Sequence, residues 1–248
     1  ASIHFGNNTD GSPYIHLNNY APNDKRFDSV WEELREMEKL GVEIVLMMGG
    51  AGGAYSYLFE KFDVYYPLLK ETIISHPVIK GIDLDIEEYV SLDNVKKIIN
   101  QIDNDFGDDF IISMAPVQGS LQEDVPGMGG FIYKKLYESD EGKRINYFNG
   151  QFYGDYSVSS YQQVVENGYP SEKVVMGMVT GQNLMNNLGV MKQLSEKYVC
   201  FGGVYNWEYF NSPPDGQSNP GEWADLVDKN FSNLNSICSR SFSKIVIF

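Results

Sequence analysis

The sequence predicts a single (β/α)8 barrel, and three observations carry that prediction. The chain has 248 residues, long for one small core and short for two ordinary domains, a length at which barrels fold as one unit. Short apolar runs alternate with amphipathic stretches from end to end, which implies repeated βα units on a parallel sheet. The strand-like runs are nearly continuous in apolar residues, as strands covered on both faces are. No low-complexity linker interrupts the pattern, so residues 1–248 read as one domain.

Taken in order, the strand-like runs are Ser2–Phe5, Val42–Met48, Ile79–Ile86, Phe110–Ala115, Tyr147–Tyr153, Val174–Val179 and Gly203–Tyr209. Helix-like segments lie between and after them at Asp28–Leu40, Tyr57–Ser75, Leu92–Phe106, Tyr133–Lys143, Ser159–Asn167, Leu188–Lys197 and Glu222–Asn233. In the third of these, Leu92, Val95, Ile98, Ile99 and Ile102 recur at the spacing of one buried helical stripe. Gly41, Gly107 and Gly168 follow three helices, where a left-handed cap is easiest for glycine. An open doubly wound sheet is the competing architecture. Its phosphate loop would have to be Gly49-Gly50-Ala51-Gly52-Gly53, which lacks GxGxxG spacing and a Walker lysine.

Composition excludes several function classes. No stretch approaches the roughly 20 apolar residues of a membrane span. A net charge of −15 repels nucleic acid rather than releasing its counterions. Two cysteines and three scattered histidines (His4, His16, His76) form no zinc pattern, and no cofactor motif appears. Seventeen Tyr, fourteen Phe and three Trp admit carbohydrate, because such side chains suit a face that is half apolar and half wet. The chain begins at Ala1 rather than Met, as a processed or trimmed form would, and carries sequons at Asn7-Asn8-Thr9 and Asn230-Phe231-Ser232. These features lean towards secretion, with the cytoplasm still open. For Cys200 and Cys238, both expected at one end of the barrel, the alternatives are a disulfide or two free thiols.

The most informative segment is Lys80-Gly81-Ile82-Asp83-Leu84-Asp85-Ile86-Glu87-Glu88. Side chains alternate along a strand, so Asp83, Asp85 and Glu87 share one face while Ile82, Leu84 and Ile86 share the other. Three carboxylates in one row are costly, because like charges raise one another's pKa and cannot all ionise cheaply. Such clusters mark active sites. Glu87 comes last, at the C-terminal strand end where barrel chemistry is found, and could give a proton to a glycosidic oxygen. Acids also bind Mg²⁺ or Ca²⁺, and strand spacing does not separate the two uses.

The run Gly81–Glu87 resembles the DGxDxDxE signature of glycoside hydrolase family 18, the chitinases and their relatives. Further matches follow in the family's order: Gly49-Gly50, Met114-Ala115-Pro116, Gln151-Phe152-Tyr153 and Trp207. More narrowly, Ile15–Asn19, Asp83–Glu88, Phe148–Tyr153 and Gly202–Asn211 are similar to the family's fungal-type endo-β-N-acetylglucosaminidases. Lys80 and Met47 stand where the family has an acid and a serine.

The resemblance implies a retaining mechanism in which the substrate's 2-acetamido oxygen attacks the anomeric carbon. Glu87 would be the acid and then the base, Asp85 would orient the acetamido N–H, and Asp83 would back Asp85. Tyr153 would donate to the acetamido oxygen, Gln151 would hold the same sugar, and Trp207 would floor it. Asn149 shares the face of Gln151 and Tyr153 by strand alternation. Gly49, Gly50, Asn149 and Met114 complete the expected substrate-binding set. The implied partners are N-linked glycans or chitin-type oligosaccharides, acted on by a monomer without metal, nucleic acid or membrane. The implied activity is cleavage of the GlcNAc-β1,4-GlcNAc core; a chitinase and a non-catalytic lectin are the alternatives.

Aligned by motif, Ala1–Gly6 corresponds to the family's second strand, with Ile15–Asn19 in the excursion after it. Lys244–Phe248, an apolar β-branched run, is then expected to fill the slot between the eighth and second strands, in permuted order.

Overall fold

Strands and helices alternate through the computed structural model, which describes residues 1–231 and 245–247. In chain order the first half comprises β1 (Ile3–Asn7), β2 (Pro13–Leu17), α1 (Asp28–Lys39), β3 (Glu43–Gly49), α2 (Tyr55–Glu60), α3 (Phe62–Ser75), β4 (Ile79–Asp85), α4 (Leu92–Phe106), β5 (Ile111–Met114) and α5 (Gln118–Gln122). Then come α6 (Tyr133–Tyr137), β6 (Tyr147–Gln151), α7 (Val158–Glu166), β7 (Val174–Val179), α8 (Leu184–Lys197), β8 (Val204–Trp207), α9 (Glu222–Phe231) and β9 (Ile245–Ile247). This is a (β/α)8-barrel-like fold. Its contacts divide into two units, residues 1–115, 126–146 and 245–247 in the first, and 116–125 and 147–231 in the second.

In the first unit β3, β4 and β5 run parallel, with Met47 opposite Asp83 and Asp83 opposite Ser113. The strands pair closely because Gly81 has no side chain: a Cβ there would lie 2.5 Å from that of Ile111. Helix α4 begins where Ser91 Oγ accepts the Asn94 N–H and ends before Gly107, which has φ +76°. It buries Val95, Ile98, Ile99 and Ile102 of the stripe expected from the spacing, while Leu92 at its start is half-buried. Gly41 and Gly168 also take positive φ behind their helices. In the second unit β6, β7 and β8 run parallel, with Gln151 opposite Gly177 and Gly177 opposite Tyr205.

Several elements differ from the sequence expectation. The segment 57–75 is two helices, broken at Lys61, whose φ/ψ of −141°/66° is not helical. Strand β4 ends at Asp85, so Ile86 and Glu87 lie beyond it. Residues 13–17, which overlap the segment Ile15–Asn19 expected in an excursion, form β2, antiparallel to β1 from Ile3↔Leu17 to Asn7↔Pro13.

That hairpin decides where the C-terminal run goes. The sequence places Lys244–Phe248 between the eighth and second strands; the structure instead pairs β9 with β3, parallel, at Glu43↔Ile245, Ile44↔Val246 and Val45↔Ile247. β2 occupies one edge of β1, and β1 itself reaches β3 only at Ile3↔Met48. The edge of β3 from Glu43 to Val45 is thus left to β9, which satisfies backbone groups that an open edge would expose. Cys200 is disulfide-bonded, while Cys238 lies outside the described residues, as do Lys244, Phe248, Ser232 and the end of the segment expected as Glu222–Asn233. No helix among the described residues is long and apolar enough to cross a membrane.

Candidate active site

The first unit holds the acid row. Asp83 and Asp85 are 2% and 5% exposed, on the face of β4 opposite Ile82 and Leu84. Ser113 on β5, the register partner of Asp83, donates its hydroxyl to the Asp83 carboxylate. Asp85 is pushed up to about 8, by burial first, then by the charge of Asp83, then by that of Glu87. At neutral pH Asp85 therefore carries a proton. Glu87 and Glu88 follow on the segment beyond the strand and are half-buried.

Gly49 and Gly50 close the end of β3 onto this row. The Gly50 N–H donates to the Asp85 carbonyl at 2.9 Å. A Cβ on Gly49, which has φ +96°, would stand 2.2 Å from that same oxygen. On Gly50 it would stand 3.4 Å from Asp85 Oδ2. Glycine is required because the backbone itself packs against Asp85.

The two departures from the family pattern have different settings. Lys80 forms a 2.7 Å ion pair with Glu38 of α1, on the Ile82 face and away from the acids. Met47 is buried opposite Asp83, where a serine would have offered a hydroxyl. Met114 is fully buried opposite Leu84, so it belongs to the other face of the sheet from the acid row. The residue of β5 that meets the acids is Ser113. Parity could have identified it, since partners in register share a face.

The second unit holds Asn149, Gln151, Tyr153 and Trp207. Asn149 is 3% exposed, and Gln151 and Tyr153 are half-buried. Gln182 fixes the end of β6 by donating its amide to the carbonyls of Phe152 and Tyr153 at 3.3 and 3.0 Å. The Tyr153 hydroxyl lies 3.1 Å from that of Tyr205, with the rings edge to face. Tyr205 fits over Gly177, where a Cβ would come within 2.0 Å of its ring. Trp207 shares the face of Tyr205 and is 46% exposed at the end of β8. Sequence reasoning missed Tyr205, although alternation with Trp207 could have found it.

Among the described residues no group of His, Cys, Asp and Glu side chains is arranged to hold a metal ion. What the two sets offer is hydrogen-bonding and proton-transfer chemistry: two buried carboxyl groups, Asp85 with a raised pKa, in one, amide and phenol groups beside an exposed indole in the other.

No family model matches the chain. It is 24% identical over 81% of its length to a curated protein, chitinase 2 of Rhizopus oligosporus, and spans 41% of that protein. A fungal endo-β-N-acetylglucosaminidase of glycosyl hydrolase family 18 superposes with a TM-score of 0.84 at 32% identity, over 96% of this chain and 87% of its own. A chitinase from Aspergillus fumigatus does so with a TM-score of 0.77 at 33% identity, over 92% and 86%. With these two solved structures matched over 87% and 86% of their lengths at 32% and 33% identity, and Asp83 and Asp85 in place on β4, the chain belongs to glycoside hydrolase family 18.

Proposed function

We propose that this chain is an endo-β-N-acetylglucosaminidase that hydrolyses the GlcNAc-β1,4-GlcNAc core of N-linked glycans with retention. The observation that carries the reading is the acid row: a protonated, buried Asp85 between Asp83 and Glu87. In the first step Glu87 gives its proton to the glycosidic oxygen as the bond to the anomeric carbon breaks. The substrate's acetamido oxygen closes on that carbon, giving an oxazolinium. Asp83, held by the Ser113 hydroxyl, takes up the proton of Asp85, and Asp85, now charged, aligns the acetamido N–H. Water then opens the ring, and the Glu87 carboxylate takes its proton.

Tyr153 and Gln151 are assigned to the acetamido group, and Trp207 to the face of the same sugar. Glu87 argues against a lectin, which would not need the proton donor. A chitinase remains the second reading, favoured by the Aspergillus fumigatus relative at 33% identity. The narrower segments, Phe148–Tyr153 and Gly202–Asn211, support the glycan reading.

The test offers a high-mannose glycoprotein and a chitin oligomer to the wild type and to Glu87→Gln. We expect glycan release that leaves one GlcNAc on the protein, and a loss of about 10²–10⁴-fold in the variant with its fold and binding retained. Cleavage of chitin alone would favour the second reading, and near-full turnover by Glu87→Gln would refute the assignment of the acid.

A further inference from the structure

The chain carries two adjacent glutamates after β4, and the mechanism uses one. The other has a defined engagement. Glu88 Oε1 accepts the backbone N–H groups of both Ala54 and Tyr55, at the start of α2. Gly53 makes room for it: at φ +68°, a Cβ there would lie 3.1 Å from that oxygen. The loop from Gly49 to Tyr55 is therefore tied to the acid strand twice, by the Gly50 N–H on the Asp85 carbonyl and by two N–H groups on Glu88. Further bonds stiffen the loop itself, from Tyr55 Oη to the Met48 carbonyl at 2.9 Å and from His4 Nδ1 to the Gly53 carbonyl at 2.5 Å.

Glu87 lies between those two ties. The β4 ladder ends at Asp85, and the backbone is taken up again at Val90, whose N–H donates to Gly129 at 2.9 Å. Over the residues between, the sheet supplies no register for the side chain that must meet a glycosidic oxygen. A carboxylate holding two N–H donors is a strong, directional anchor, and small misplacements of a reacting group cost large factors in rate.

We propose that Glu88 is a positioning residue that fixes the backbone carrying Glu87 by clamping it to the loop after β3. The inference rests on the reading of Glu87 as the acid. It also explains why the second glutamate leaves the proton chemistry to the first: its carboxylate faces α2.

The experiment compares Glu88→Gln, which keeps an acceptor oxygen, with Glu88→Leu, which removes it. Turnover is measured well below the melting temperature on whichever substrate the wild type cleaves. Glu88→Gln should stay within about 3-fold of wild-type kcat, whereas Glu88→Leu should lose about 10–100-fold in kcat with KM within about 2-fold. Amide exchange at Ala54 and Tyr55 should quicken in Glu88→Leu alone. If Glu88→Leu does not fold, Gly53→Ala takes its place, since its methyl crowds the clamp, and should show the same kcat loss. A Glu88→Leu or Gly53→Ala enzyme with wild-type kcat overturns the positioning role, and so does a Glu88→Gln enzyme as slow as Glu88→Leu. A wild type that cleaves neither substrate overturns the proposed function instead, and the positioning role with it.

Discussion

Replacing Asp85 by Asn should stabilise the fold while it destroys activity, and the gain should depend on pH in a defined way. Asp85 is pushed up from 3.8 to about 8, by burial first and then by the charges of Asp83 and Glu87. The folded chain therefore keeps a proton that the unfolded chain releases. The stability tied to that proton is fully present below about pH 3.8, declines as pH rises, and is gone once pH passes about 8. Within that window each pH unit costs the wild type on the order of 1 kcal/mol relative to a variant that cannot ionise there. From about pH 5 to about pH 7 the gap between Asp85→Asn and wild type should widen by on the order of 3 kcal/mol, and it should level off above about pH 8. Urea unfolding of both proteins across this range measures it directly. A gap that stays constant from about pH 5 to about pH 8 would refute the raised pKa, and with it the protonated row. Hydrolysis by Asp85→Asn should fall by about 10²-fold or more, because the amide cannot move a proton along the row.

Three further expectations follow from the same contacts. Gly81→Val should destabilise strongly, seen as a lower melting temperature or insoluble expression, because a Cβ at Gly81 already meets Ile111 at 2.5 Å. Tyr153→Phe should cut kcat by about 10²–10³-fold with little change in melting temperature, as loss of one donor to a developing charge does; an unchanged rate would remove Tyr153 from the site. Dialysis against a chelator should leave the rate of hydrolysis unaltered, and a rate restored only by added Mg²⁺ or Ca²⁺ would reopen the metal reading of the acids.

What was legible in the sequence was what local periodicity determines. Asp83 and Asp85 could be placed on one face because Ile82 and Leu84 had to take the other, and both acids lie there, buried. The stripe from Val95 to Ile102 was legible for the same reason on a helix. Where an element ends was not. Ile86 continues the apolar alternation, yet β4 stops at Asp85, because the ladder with β3 stops where Gly49 meets Asp85. Similarly, nothing in the apolar pattern around Lys61 marks the break between α2 and α3, which is set by its backbone conformation. Long-range pairing was the least legible. Pro13–Leu17 contains a proline and a histidine and lacks clean alternation, so its antiparallel pairing with β1, and the consequent seating of β9 on β3, could not be read from either segment alone.

The acid row also explains its own cost. A folding chain gains by burying Ile82 and Leu84, but nothing in that gain requires Asp83 and Asp85 on the reverse face. A structural role would call for cationic partners. The lysine of this strand, Lys80, instead pairs with Glu38 on the opposite face, and the residue across from Asp83 on β3 is the thioether of Met47. Neither neutralises the row. The Ser113 hydroxyl on Asp83 and the proton retained by Asp85 offset part of the cost. A buried carboxyl that stores a proton inside the protein departs from what stability alone favours. A proton held in this way is one that a salt bridge at the same place would not hold. The cost of the row and its capacity for acid–base chemistry thus have one physical origin.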